Sequence, residues 1–260
     1  MKVYLSTLGC KLNESELESW SRRFAQDGYE LVGDPREADL CVLNTCTVTH
    51  VAAHKSRQMA RQLARANPHA RLVLTGCYTD IAPDEAKGLP NVALVVPNAD
   101  KDRLVALAGE LLGDARYQTT ETGCRLPEAA SGALDSSRWL DADIETQVAG
   151  GKPKSSPLAT GHLSNSRTRA FVKIQDGCNM SCTYCIIPLA RGKERSRTRE
   201  EIVAEVMSLV NAGYKEIILT GVQISVYSNN GDLPKGASHK AHGLREVKNN
   251  VFAINFQVGF

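Results

Sequence analysis

The sequence predicts an α/β fold built on parallel sheet, and three observations carry that expectation. Over the first 112 residues, short β-rich runs alternate with stretches of helical apolar period. A second unit further on repeats the order strand, loop, helix, strand. The composition, 42% hydrophobic and 23% charged over 260 residues, is that of ordinary globular protein and leaves room for about two domains.

Val3 to Leu8 is the first β-rich run. Asn13 is placed to N-cap the helix after it, with Glu16 three residues on. Leu17, Trp20 and Phe24 share one face of that helix, and Gly28 is placed to end it. Leu40 to Leu43 reads as a strand and Val51 to Ala66 as a helix rich in Ala, Arg and Gln. Arg71 to Thr75 and Ala93 to Val96 read as two further strands, and Lys101 to Leu112 as a closing helix. Residues 113–166, rich in Ser, Thr, Gly, Ala and Asp, have the composition of a linker. The second unit opens with a strand over Ala170 to Ile174. A helix begins near Arg199 behind a capping box of Thr198 and Glu201. Its apolar face is Ile202, Val203, Val206, Leu209 and Val210; Gly213 stops it, and Glu216 to Thr220 is the next strand.

Charge is nearly balanced: 31 basic against 29 acidic residues leave +2, too little to diagnose a nucleic-acid partner. Aromatic residues make up 5%, which argues against an extended base-stacking platform. No apolar run nears the roughly 18 residues of a membrane span. Leu8-Gly9-Cys10 has the end of a lipoprotein cleavage site without the apolar stretch that should precede it. The chain reads as cytoplasmic, with no membrane partner.

In a reducing compartment eight cysteines call for a reason other than disulfides. Cys10, Cys46 and Cys77 each follow the carboxyl end of an expected strand, the place where parallel sheets gather ligands. Three thiols 36 and 31 residues apart can thus converge on one metal site; the plainer reading is three unrelated buried cysteines. Cys41 lies inside a strand and reads as core, and Cys124 in the linker has no evident partner. Cys178-x3-Cys182-x2-Cys185 sits in a loop opened by Asp176-Gly177, directly after a strand. Thiolates this close repel unless a metal neutralises them, and soft sulfur donors favour zinc or an iron–sulfur cluster. Structural zinc normally takes four protein ligands, yet no histidine lies between His162 and His239 and no cysteine follows Cys185. Three ligands suit a cubane with one iron left open. A rival zinc site of Cys46, His50 and His54 requires that Cys46 itself be helical. Arg191, Lys193, Arg195, Arg197 and Arg199 are five basic residues in nine, either an attraction for RNA phosphates or a solvated loop.

Asp176-Gly177-Cys178-x3-Cys182-x2-Cys185, followed by Ile186-Ile187-Pro188 and Ala190-Arg191-Gly192, resembles the radical S-adenosylmethionine core of the methylthiotransferases. Thr7-Leu8-Gly9-Cys10-Lys11-Leu12-Asn13, Asn44-Thr45-Cys46-Thr47-Val48-Thr49 and Thr75-Gly76-Cys77 resemble that family's amino-terminal cluster-binding domain. Lys11 and Thr47-Val48-Thr49 are similar to the branch that modifies N6-threonylcarbamoyladenosine at position 37 of tRNA. The resemblance implies an amino-terminal parallel α/β domain over 1–112, followed over 167–227 by the first β/α units of an incomplete radical-SAM (β/α) barrel. It implies a [4Fe-4S] cluster on Cys178, Cys182 and Cys185 whose open iron chelates S-adenosylmethionine, and a second [4Fe-4S] cluster on Cys10, Cys46 and Cys77. The first would generate a 5′-deoxyadenosyl radical, and the second would carry the sulfur to be methylated and transferred. Thr220, Gly221 and Val222 stand where related barrels contact the cofactor; an ordinary strand-end turn is the plainer reading. The implied partners are the anticodon loop of tRNA and an electron donor such as flavodoxin or ferredoxin. Residues 228–260 match nothing in the family, as a carboxyl-terminally truncated gene or a frameshift would produce, and two β/α units are too few to close a barrel. Three alternatives accompany this expectation: action on isopentenyladenosine 37, an inactive iron–sulfur-binding remnant, and a zinc-stabilised RNA-binding module.

Overall fold

The structure, a computed structural model, describes residues 1–113 and 169–227 and the backbone of 253–258. Five parallel strands form the amino-terminal sheet: β1 (Lys2–Thr7), β2 (Glu30–Leu31), β3 (Leu40–Thr45), β4 (Arg71–Gly76) and β5 (Val92–Val96), in the order β2-β1-β3-β4-β5. The chain moves outward from β1 to β2, then returns to the other side of β1 for β3. Strand order therefore reverses between β1 and β3, which opens a crevice at their carboxyl ends.

Alternation along the strands divides the core in two. Val3, Leu5, Leu40, Val42 and Val73 point to the face covered by α1 (Lys11–Gln26) and α5 (Leu104–Leu112). Tyr4, Cys41, Leu43, Leu72 and Leu74 point to the face covered by α2 (His50–Ala66), α3 (Cys77–Ile81) and α4 (Pro83–Lys87). A sheet covered on both sides needs apolar residues at nearly every strand position, and the continuous runs in the sequence are the result. From α1, Leu17, Trp20 and Phe24 enter the core; each such side chain contributes about 2 kcal/mol. The closing helix is shorter than expected: 98–103 form a 3-10 turn and α5 begins only at Leu104.

Asn13 does not cap α1. The cap position is Cys10, because Gly9 at φ +112° turns the chain immediately after Leu8 and the helix starts at Lys11. Asn13 is buried inside the first turn and bonds elsewhere.

The second unit comprises β6 (Arg169–Lys173), β7 (Gln175–Asp176), α6 (Ile187–Arg191), β8 (Arg195–Ser196), α7 (Arg199–Asn211), β9 (Glu216–Gly221) and β10 (Ala253–Val258). Strands β10, β9 and β6 pair in parallel in that order, and β7 and β8 form a small antiparallel ribbon. The apolar run near the chain's end, expected to match nothing in the family, is instead a strand in register with β9, Ala253 opposite Glu216. The capping box forms as expected: Glu201 N donates to Thr198 Oγ1 and Thr198 N donates to Glu201 Oε2, each at 3.3 Å. Val203 on the expected apolar face is 51% exposed, whereas Leu209 is buried. The linker expected over 113–166 and Cys124 lie outside the described residues, Gly113 excepted.

Helix α1 joins the two sheets. One side packs on the amino-terminal strands; on the other, Glu18 accepts a hydrogen bond from Phe171 N of β6 at 3.1 Å, and Arg22 pairs with Glu205 of α7 at 2.7 Å. At Phe171 the outer edge of β6 is thereby occupied by a carboxylate.

Candidate metal centres

Cys10, Cys46 and Cys77 lie at the carboxyl ends of β1, β3 and β4, three adjacent strands. The loops that carry them are in direct contact. A Cβ on Gly9 would stand 2.8 Å from Cys46 Cβ and 3.0 Å from its Sγ. A Cβ on Gly76, at φ +107°, would run into the Thr45 carbonyl oxygen. Only glycine permits both the left-handed turn and the close approach. None of the three thiols is in a disulfide; Cys46 and Cys77 are buried and Cys10 is half-buried. Burial pushes the Cys46 and Cys77 thiols up, Cys10 raises both further, and Arg191 opposes the rise. Cys46 and Cys77 therefore both sense the charge of Cys10. Three soft donors gathered at a largely buried place are a poor resting arrangement for free thiolates and a good one for a multinuclear thiophilic metal group. The trio fits a cluster. Among the described residues no three His, Cys, Asp or Glu side chains are drawn together as ligands of a single ion. The rival zinc set loses its premise, because α2 starts at His50 behind an N-cap at Thr49, so Cys46 is not on the helix with His50 and His54.

Cys178, Cys182 and Cys185 occupy the loop between β7 and α6. Its two ends are tied by the β7–β8 ribbon, with Asp176 opposite Arg195, and by Cys178 N donating to Gly192 O at 3.1 Å. Gly177, at φ +71°, passes so close to Lys193 O that a Cβ there would collide with it. Inside the loop, Met180 N donates to Cys178 Sγ at 3.4 Å, and Cys185 N donates to Cys182 O at 3.2 Å. Cys182 is exposed and the other two are half-exposed. A thiol triad on one short loop, open on one side, fits a cluster that must admit a small molecule.

Thr220 is fully buried in β9, Gly221 ends that strand, and Val222 follows half-buried. Contact with the cysteine loop comes one residue later, where Cys178 Sγ donates to Gln223 Oε1 at 3.3 Å. Gln223 N donates to Gln175 Oε1 at 2.8 Å, and Gln175 Nε2 donates to Gly177 O at 2.8 Å. These two glutamines were absent from the sequence expectation. The one available signal was that each flanks a strand end.

Between the two trios lies a buried ion cluster. Glu16 Oε2 accepts from Lys101 Nζ at 2.6 Å and Asn44 Nδ2 at 2.9 Å, and Oε1 from Lys173 Nζ at 3.2 Å and Arg191 at 3.3 Å. Asp176 accepts from Arg191 at 2.9 Å and from Lys173 at 3.3 Å. Burial alone would raise Glu16, but Lys101, Lys173 and Arg191 outweigh it and hold the carboxyl well below its ordinary range. Asp176 is lowered in the same way, by Arg191 and then Lys173 against its burial. Three cations thus face the two carboxylates they bond. Neither expectation for the basic run, RNA-facing or solvated, describes all of its members. Arg191 is 3% exposed and committed to the interior, and Arg197 bonds Lys173 O at 2.9 Å and Glu205 at 2.6 Å. Lys193, Arg195 and Arg199 are exposed.

The family comparisons fall on these two halves. Residues 2–97 match the model of uncharacterized protein family UPF0004, and 172–255 match the radical SAM superfamily. The chain therefore carries a UPF0004 domain followed by a radical SAM domain. A threonylcarbamoyladenosine tRNA methylthiotransferase MtaB of Aquifex aeolicus is 37% identical over 227 residues, 87% of this chain and 49% of the relative. A protein of the same name from Bacillus subtilis is 37% identical over 86% of this chain and 44% of its own length. A tRNA-2-methylthio-N(6)-dimethylallyladenosine synthase of Akkermansia muciniphila is 30% identical over 100% of this chain and 56% of its own length. The chain spans about half the length of these curated relatives. Among solved structures, the radical S-adenosylmethionine methyltransferase TsrM of Kitasatospora setae superposes with a TM-score of 0.51 at 16% identity, covering 86% of this chain and 48% of TsrM. That likeness is one of fold. Membership of the radical SAM superfamily implies one [4Fe-4S] cluster and S-adenosylmethionine. Among the described residues no helix is long and apolar enough to cross a membrane.

Proposed function

We propose that this chain acts as a radical SAM methylthiotransferase on tRNA, transferring a methylthio group to C2 of N6-threonylcarbamoyladenosine at position 37. The observation that carries the reading is the meeting of three sequence-distant thiols at adjacent strand ends of one sheet, across a shared ion cluster from the cysteine loop of the radical SAM domain. Cys178, Cys182 and Cys185 hold the [4Fe-4S] cluster that binds S-adenosylmethionine, and Cys10, Cys46 and Cys77 hold a second one. When bound, such groups supply one-electron cleavage of S-adenosylmethionine and a sulfur for transfer.

The chain's own residues bind, orient and shield. Gln223, fixed by Gln175, stands against Cys178, and the strand end of Thr220, Gly221 and Val222 backs the cofactor's side of the loop. Exposed Lys193 and Arg195 meet phosphates of the anticodon loop, and a flavodoxin or ferredoxin supplies electrons in the cytoplasm. Support for the threonylcarbamoyl branch comes from the Aquifex and Bacillus relatives, whose names specify it. The Akkermansia relative, matched over the whole chain, favours isopentenyladenosine as the second reading.

The test is expression of the full chain in cells lacking the native enzyme, with the modified adenosines measured by mass spectrometry. The methylthio-threonylcarbamoyl nucleoside is expected; the isopentenyl product moves the chain to the other branch, and neither product refutes the activity. Anaerobic reconstitution should give about eight irons and eight sulfides per chain, as two cubanes require. Zinc without iron would refute the cluster reading.

A further inference from the structure

We propose that Arg191, a residue of the radical SAM domain, is a positioning residue for the amino-terminal thiol site, which the second domain thereby completes. The proposal rests on the two-cluster reading above and concerns how the first of those sites is assembled. Asn13 is the connecting part. Its Nδ2 donates to Leu8 O at 2.6 Å and to Thr45 O at 3.1 Å, gripping the loops that carry Cys10 and Cys46. Its Oδ1 accepts from Arg191 at 2.5 Å. The guanidinium is fixed from its other side by Asp176 at 2.9 Å and Glu16 at 3.3 Å, leaving its side chain 1% exposed. A second tie comes from the 3-10 turn after β5, where Asn98 Nδ2 donates to Ala190 O, next to Arg191 in α6, and Asn98 N donates to Asp80 of α3, the helix that Cys77 opens.

Two consequences follow. The Cys10 and Cys46 loops are held in register by an amide whose orientation is set from the other domain, since Arg191 can only donate and so fixes which end of Asn13 is the oxygen. A guanidinium also stays charged at any working pH, so the thiol site carries a permanent buried positive charge beside it. Cys46 and Cys77 lie within reach of that charge. A group held by three thiolates and bearing net negative charge is stabilised there, and its reduction is made easier. Groups around a metal site that orient its ligands typically change metal affinity about 10–100-fold when lost.

The experiment uses the full chain with Cys178→Ser, Cys182→Ser and Cys185→Ser, so that only Cys10, Cys46 and Cys77 can hold a cluster. After anaerobic reconstitution, iron per chain, the rate of iron loss to a chelator and the reduction potential by EPR-monitored titration are compared with and without Arg191→Gln and Arg191→Lys. Arg191→Gln should lose iron about tenfold faster and shift the potential to more negative values. Arg191→Lys should restore most of the potential but not the retention, because an ammonium keeps the charge and loses the fork. Should Arg191→Gln fail to fold, Asn13→Ala, which leaves Arg191 paired with both carboxylates, should speed iron loss without moving the potential. Unchanged retention and potential in these variants, or equal damage from glutamine and lysine, overturns the assignment while leaving the two-cluster reading intact. A triple-serine chain that takes up no iron overturns the two-cluster reading, and the assignment with it.

Discussion

Glu16 and Arg191 lie 175 residues apart in the chain, yet their side chains meet at 3.3 Å in a place where each is nearly inaccessible to water. The pair joins α1 to α6, and so the UPF0004 domain to the radical SAM domain. Removing charge from such a site is costlier than its single distance suggests, because the partners left behind remain buried. Glu16→Ala leaves Lys101, Lys173 and Arg191 facing Asp176 alone, and should cost about 3–5 kcal/mol, read as a fall in the urea midpoint of the full chain. A loss under about 1 kcal/mol would mean that water reaches the cluster.

Gly9 and Gly28 both have positive φ, but only Gly9 is crowded. Gly28→Ala meets nothing within 4 Å and should cost only the backbone strain, about 1 kcal/mol. Gly9→Ala drives a methyl into Cys46 and should in addition lower the iron bound per chain. Equal iron in the two variants would contradict the close approach of the Cys10 and Cys46 loops.

Asp80 is pushed up to about 6 by burial, against the hydrogen bond from Asn98 N and the pull of Lys101 and Arg191. With the folded value above the unfolded one, the native state binds the proton more tightly. The destabilisation is absent below about pH 4, grows between pH 4 and 6, and is complete above 6. Asp80→Asn should therefore raise stability by about 1–3 kcal/mol at pH 8 and by almost nothing at pH 4, measured on the cluster-free chain by urea unfolding at both pH values. A gain independent of pH would show that Asp80 does not titrate in this window.

Burial pushes the Cys41 thiol up to about 12, whereas Cys182 is exposed. In the cluster-free native chain at pH 8, iodoacetamide should label Cys182 readily and Cys41 only after unfolding. Cys41→Val should leave bound iron unchanged, since Cys41 faces the α2 side of the sheet among Leu43, Leu72 and Leu74. Fast native labelling of Cys41 would contradict its place in the core.

Much of this architecture was legible in local chemistry. Thr198 and Glu201 announced the start of α7 to the residue, because a capping box is satisfied within four positions. Strand ends at Thr7, Thr45 and Gly76 were legible because each apolar run stops just short of its cysteine. Asn13 misled because residue type favours a cap, while the glycine turn at Gly9 had already let the helix begin. The basic run from Arg191 to Arg199 misled for a related reason: charge is read from sequence as solvated, and only the carboxylates of Glu16, Asp176 and Glu205 show that Arg191 and Arg197 are paired.

What the sequence determined by itself was the set of elements and the two sulfur trios, since helical period, strand period and ligand spacing are properties of neighbouring residues. Tertiary structure alone decided that β1 and β3 are adjacent with the strand order reversing between them, so that Cys10 and Cys46 share one crevice. It alone decided, too, that Glu16 of one domain receives Lys173 and Arg191 of the other. Local sequence holds no record of either, because strand order and buried charge pairing are settled by which surfaces shed water together once the helices have packed.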